Sequence, residues 1–139
     1  MRISTQGRYA LRAMVDLTLY GQQGPVPRRK IAARQEISSD YLAQLFVKLR
    51  QAKLVESVLG PGGGYMLSRS ADGISAGDVL RAVNEPLLTV YCVDVGIEPT
   101  CPRLPDCPVH PLWMKLNDVV HQVLDSVNVA DLSKGTKEL

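Results

Sequence analysis

Leu54-Val55-Glu56-Ser57-Val58-Leu59-Gly60-Pro61-Gly62-Gly63-Gly64-Tyr65-Met66-Leu67-Ser68 is the stretch on which the fold turns. Leu54–Val58 has the composition of a strand, Leu59–Tyr65 is a tight glycine-rich turn, and Tyr65–Ser68 is the returning strand. No Gly-Lys-Ser/Thr follows the glycines and no helix starts at them, so this is not a phosphate loop of the nucleotide-binding kind. A hairpin turn needs one or two glycines. Three in a row, Gly62, Gly63 and Gly64, point to a backbone that approaches another surface closely.

What precedes the hairpin gives it a meaning. Pro27 suits the first position of a short helix over about 27–35, with Ile31 and Ala32 inward. After the turn Gln35-Glu36-Ile37, Ser38 can cap a third helix, with Ile37 and Leu42 as its hydrophobic staple. Leu42, Leu45, Phe46 and Leu49 fall on one face, leaving Ser39, Asp40, Ala43, Gln44 and Lys48 outside. Two short helices joined by a tight turn are equally the corner of an α-bundle. The hairpin directly after them decides for a helix-turn-helix with a wing. Residues 4–20 form the first helix, through Ala10, Met14 and Leu17. Arg2, Arg8 and Arg12 crowd its start, the wrong end for cations, and a nearby phosphate would resolve that conflict.

Beyond the hairpin, Ser75-Ala76-Gly77-Asp78 is a capping box with Ile74 and Val79 as staple, opening a fourth helix over about 75–84. Residues 85–110 then carry all three cysteines, as Cys92-x8-Cys101-x5-Cys107-x2-His110. Pro99, Pro102, Pro105, Pro108 and Pro111 exclude helix and inner strand across most of that loop. Three thiolates and an imidazole make a metal-ligand set; Cys3His is a common structural zinc set, and iron is equally open to thiolates. The bland alternative is three unrelated thiols. His121 reads as a surface or interface residue of the next helix. A helix over 111–127 follows, in which Trp113, Leu116, Val120, Val123 and Val127 are spaced 3, 4, 3, 4 as a heptad seam. The seam has more apolar face than a small domain needs, and a second copy would cover it in a twofold homodimer; the alternative is packing on its own domain. Residues 128–139 read as a polar, fraying tail.

The net charge of +2 conceals an asymmetry: residues 1–70 carry 11 Lys/Arg against 4 Asp/Glu, and residues 71–139 carry 5 against 10. Only the first half is built to meet a polyanion. No apolar run reaches the ~18 residues of a membrane span, and no signal-peptide core opens the chain. No membrane partner and a cytoplasmic location are expected. An odd number of cysteines argues against a disulfide framework. A thiol-based redox enzyme is the third reading, with no evident base or substrate pocket to support it. The expected fold is mainly α with a small β-hairpin, a winged helix-turn-helix over 1–84 followed by the loop, the dimerisation helix and the tail.

With these motifs together the chain resembles the iron–sulfur cluster regulator family of bacterial winged-helix repressors, the IscR/NsrR-like regulators. Gly7-Arg8-Tyr9-Ala10, Ile37 to Phe46, Gly60 to Tyr65, Gly77-Asp78-Val79-Leu80 and the three cysteines carry the resemblance, over nearly the whole chain. It implies a dimer on a pseudo-palindromic operator in double-stranded DNA. It also implies an iron–sulfur cluster, [2Fe–2S] ahead of [4Fe–4S], on Cys92, Cys101, Cys107 and His110. Zinc, or no metal and no redox sensing, is the alternative. DNA contacts are expected from Arg2, Arg8, Arg28, Ser38, Ser39, Asp40, Tyr41, Gln44, Lys48, Arg50, Gly62, Gly63, Gly64 and Tyr65. The chain departs from the family pattern in the longer Cys92–Cys101 spacing, in Ala43 where glutamate is frequent, and in Leu59 where the wing often has arginine.

Overall fold

The first helix of the computed structural model, α1 (Thr5–Tyr20), begins where the Ser4 hydroxyl accepts the Gly7 N–H at 3.3 Å. The structure describes residues 1–94, 96 and 101–135. Ala10, Ala13, Met14 and Leu17 line the buried face of α1. α2 (Arg28–Gln35) starts one residue later than expected, because Pro27 stands outside it as the cap, in extended backbone at φ −61° and ψ 138°. Glu36, left-handed at φ 54°, turns the chain. α3 (Ser39–Gln51) has the expected cap, the Ser38 hydroxyl accepting the Tyr41 N–H at 3.1 Å. The Ile37–Leu42 staple and Leu45, Phe46 and Leu49 are buried together. Local sequence thus sets where the helices begin, and the apolar stripes set which faces meet.

The hairpin is β1 (Val55–Val58) paired antiparallel with β2 (Gly64–Leu67), Val55 opposite Leu67 and Val58 opposite Gly64. Val26, just before α2, pairs with β2 as a third chain segment: it exchanges N–H···O bonds of 2.9 Å in both directions with Tyr65. This corrects the reading of the glycines. A Cβ on Gly64, whose φ is 152°, would overlap the Val26 carbonyl, and one on Gly63 would overlap that of Val58. Gly60 and Gly62 turn the chain at φ 88° and 76°. Four glycines answer to the chain's own backbone, and no outside surface is needed to explain them.

α4 (Ala76–Ala82) carries the full capping box: Asp78 N–H to Ser75 Oγ at 2.9 Å and Ser75 N–H to Asp78 Oδ2 at 3.0 Å. The long helix α5 (His110–Ser126) starts one residue before the expected bound. The tail does not fray over its described part. Asn128 and Asp131 form a second capping box, at 2.8 and 3.1 Å, opening α6 (Val129–Ser133). α6 packs on α1, and Val129 is fully buried in the same core as Phe46 and Met14. Residues 136–139 of the expected tail lie outside the described residues. Backbone pairing completes the junction: Ala76 N–H to Val127 O at 2.8 Å and Val129 N–H to Ile74 O at 2.9 Å. The head therefore includes residues beyond 84, since its core closes only when 129 returns to it. Among the described residues no helix is long and apolar enough to cross a membrane.

Burial opposes the charge on Asp78, but the Ser75 N–H and hydroxyl and Arg81 outweigh it and hold the carboxyl below its ordinary value. A carboxyl lowered on folding contributes stability that is present above the unfolded value of about 3.9 and is lost as pH falls through the folded one. Ser75→Ala is expected to cost about 1 kcal/mol in urea unfolding at pH 7, and Asp78→Asn to flatten the loss of stability below about pH 4.

Candidate nucleic-acid interface and metal-ligand loop

α3 presents Asp40, Gln44 and Val47 outward at i, i+4 and i+7, all exposed, Val47 by 51%. Sequence reading missed Val47; a branched apolar side chain on that stripe offers a thymine methyl contact. Ser39 is half-buried and its hydroxyl takes the Arg28 Nε–H at 3.0 Å, tying the entry of α3 to α2. The Ser38 hydroxyl is engaged as an acceptor by the cap and keeps its proton to donate. Arg50 reaches from α3 to the wing, Nη1 to Ser57 Oγ at 3.0 Å. Arg2, Arg8 and Arg28 are exposed and Lys48 is half-buried. Arg28, α3 and Arg50 thus join one another, Arg50 carrying the link to the wing.

Three of the expected contact residues also have partners within the fold. Tyr65 stacks its ring on Phe46, centroids 3.9 Å apart and planes within 4°, so it anchors the wing to the core. Tyr41 is half-buried edge-on to Tyr9 at 5.9 Å. The Gly63 N–H is spent on Gly60 O at 3.0 Å, inside the turn. Nor does α1 need an outside anion at its start. Glu85, 6% exposed, accepts the Ser4 N–H at 2.7 Å and the Ser4 hydroxyl, supplying the negative charge from within. Gly7 makes room for it, because a Cβ there would come within 2.7 Å of Glu85 Oε2.

Arg34 belongs to the fold as well. It grips the fully buried Asp16 with two bonds of 2.7 and 2.9 Å, and Gln35 Nε2 adds a third of 2.9 Å. Its guanidinium lies 3.9 Å over Tyr20. The bond to Asp16 raises the Arg34 pKa against the opposing effect of burial.

The cysteines are all half-buried free thiols. Cys92 lies in a 3-10 turn, Tyr91–Val93, whose Val93 is buried; Cys107 follows another, Leu104–Asp106; His110 opens α5. Among the described residues no three of His, Cys, Asp and Glu are gathered as for a metal ion. The expected four-donor set is therefore not assembled. Part of the segment joining Cys92 to Cys101, Pro99 included, lies outside the described residues. Two features nevertheless suit a ligand loop. The Tyr91 hydroxyl and the Arg103 N–H hydrogen-bond to Cys101 and lower its pKa, against a smaller effect of burial. The same bond raises that of Tyr91. His110 Nδ1 is buried with no hydrogen-bond partner among the described residues, as are Thr89 Oγ1 and Asn117 Oδ1. An open groove of about 480 Å³ runs beside Cys107, between Pro102, Arg103, Asp106 and Val109.

α5 buries none of its residues. The structure divides the expected seam. Leu116 (42%) and Val123 (56%) are exposed, in line with Leu112 (57%) and Val119 (45%). Trp113, Val120 and Val127 are half-covered, on a helix that packs against α4 and the Tyr91–Val93 turn.

A helix-turn-helix with an outward second helix, followed by a hairpin tied to its entry, defines a winged-helix DNA-binding regulator. The chain belongs to the Rrf2 family of iron-dependent transcriptional regulators, matching it over residues 3–135. An HTH-type transcriptional regulator of Azotobacter vinelandii is 47% identical over 133 residues, 95% of this chain and 79% of that one. The IscR regulator of Vibrio campbellii is 42% identical over 139 residues, 100% of this chain and 81% of its own. Among solved structures, CymR, the global cysteine regulator of B. subtilis, matches with a TM-score of 0.78 at 37% identity over 99% of both chains. IscR of T. potens matches at 0.77 and 37%, over 99% of this chain and 90% of that one.

Arg34→Ala leaves the Asp16 carboxylate buried with Gln35 as its remaining partner. It is expected to cost about 3 kcal/mol in urea unfolding, as breaking a buried pair does, whereas Arg28→Ala leaves stability within about 0.5 kcal/mol.

Proposed function

We propose that this regulator is a homodimer that reads a pseudo-palindromic operator and reports iron or redox status through an iron–sulfur cluster on the Cys92–His110 loop. The observation that carries the reading is the placing of three free, half-buried thiols immediately ahead of a helix that buries none of its own residues. Ligand and partner thereby share one element.

Cys92, Cys101, Cys107 and His110 would hold the cluster. Their chemistry fits: soft thiolates, one already lowered in pKa, and an imidazole with an unpartnered ring nitrogen. When bound, the group supplies a cross-link that iron loss, oxidation or nitric oxide would remove. The relatives named IscR and the iron-dependent family support iron over zinc. The chain's own residues do the rest. Arg2, Arg8, Arg28 and Arg50, with the exposed turn at Gly62, hold phosphates; Ser39, Asp40 and Gln44, with Ser38 and Lys48 beside them, face base edges. Leu112, Leu116, Val119 and Val123 meet their copies across the twofold axis. A near-complete switch between binding and non-binding forms requires about 5.5 kcal/mol of difference. Nothing in this reading asks for catalysis or a membrane, and it places the protein in the cytoplasm.

Protein purified without oxygen is expected to be coloured and to carry iron and sulfide. A colourless protein with stoichiometric zinc would falsify the cluster. If ~6–10 phosphates are neutralised, operator affinity should fall ~10³–10⁵-fold between about 50 and 200 mM salt. Alanine at Cys92, Cys101 or Cys107 should change operator affinity with oxygen or iron supply; variants that bind as the parent does under all conditions would show a constitutive regulator.

A further inference from the structure

The motif Gly77-Asp78-Val79-Leu80 has no part in holding DNA or a cluster. Val79 and Leu80 are core, and Asp78 closes the capping box. Gly77 is left, and its position has a different explanation. A Cβ there would overlap Oδ1 of Asp125, from the last turns of α5, and would lie 2.9 Å from Nη2 of Arg81. The same Oδ1 accepts from Arg81 at 2.6 Å. Arg81 also approaches Asp78 at 3.4 Å, and Asp78 meets Arg69, just past β2, at 3.5 Å. The four charges run from the root of the wing to the end of the long helix.

These pairs are exposed, Arg81 by 43% and Asp125 by 46%, so their direct contribution to stability is small. What they fix is geometry. The other tie at this end of α5 is the Ala76–Val127 backbone bond. The opposite end carries His110 and the loop. A helix pinned at one end by these ties, and otherwise resting on α4 and the short Tyr91–Val93 turn, is a lever. At ~1.5 Å per residue α5 is roughly 25 Å long, and a tilt of about 10° at Asp125 moves its far end by roughly 4 Å. One base-pair step is ~3.4 Å.

We propose that Asp125, held by Arg81 over Gly77, is a positioning residue that sets the angle between the long helix and the reading head, and with it the half-site spacing the dimer accepts. This rests on the dimeric DNA-binding reading. Two substitutions break the latch by different routes. Asp125→Ala removes the carboxylate. Gly77→Ala evicts it, while alanine leaves α4 no weaker than glycine did.

The full-length protein would first select an operator from a random-sequence duplex library. Anisotropy titrations would then use that operator with its centre shortened or lengthened by one base pair. The parent is expected to lose about tenfold on either change. Both variants should bind an isolated half-site as the parent does, yet lose most of the spacing discrimination. Combining them should add little, because a methyl at 77 meets no carboxylate once 125 is alanine. The proposal is overturned if either variant keeps the parent's spacing profile, or if the two effects add as at independent sites. A parent that selects no duplex refutes the DNA reading instead. The latch then stands or falls on the same double substitution in urea unfolding, where non-additivity supports it and additivity overturns it.

Discussion

Everything C-terminal to the wing depends on a short backbone pairing, Ile74–Ala76 against Val127–Val129. It consists of two N–H···O bonds and an antiparallel bridge between Ser75 and Asn128. Both strands of this pairing run straight into helices opened by capping boxes, Ser75 for α4 and Asn128 for α6. Each box satisfies first-turn donors of its helix with side chains from within three residues. The junction therefore joins two helix starts whose caps are local. It delivers Val129 to the core. It also leaves the intervening α5 on the surface, resting on α4 and the Tyr91–Val93 turn.

That arrangement leaves one small domain with two distinct surfaces. The core is filled by α1, α2, α3, α4, the strand start at Leu54–Val55 and Val129, and is closed without any contribution from α5. The apolar stripe of α5 is thus surplus to folding. The charged residues divide likewise. Some basic side chains of the first half are consumed internally, Arg34 by Asp16 and Arg12 by Gln35. Arg2, Arg8, Arg28 and Arg50 remain on the surface.

The parts legible in sequence are those written at short spacing. The α3 stripe, its Ser38 cap and Ile37–Leu42 staple, the Ser75–Asp78 box and the hairpin all lie within a few residues. Their physics is that of a single turn or ladder. Asn128-x-x-Asp131 has the same form as Ser75-x-x-Asp78 and was equally readable; its few apolar residues hid it, because one valine does the burying. The pairs that escaped are distant in sequence, Asp16 with Arg34 at 18 residues and Ser4 with Glu85 at 81. No periodicity encodes such a meeting. Gly63, Gly64 and Tyr65 stand out in the sequence, but no local pattern names Val58, Val26 and Phe46 as what they touch. For the ligand loop, residue chemistry was readable at once. Prolines erase the periodicities from which a spatial arrangement of the thiols could be inferred.

The Val26–Tyr65 rungs have a mechanical consequence. A two-stranded ribbon alone is a soft flap. Here Val26, just before α2, pairs with the ribbon as a third segment, and Gly64 lets the two backbones touch. Tyr65 adds a ring stacked on Phe46 of α3. The helix pair and the hairpin are thereby parts of one casting rather than a hand and a loose finger. A load on the hairpin passes straight into the helix pair, and the two shift as a unit.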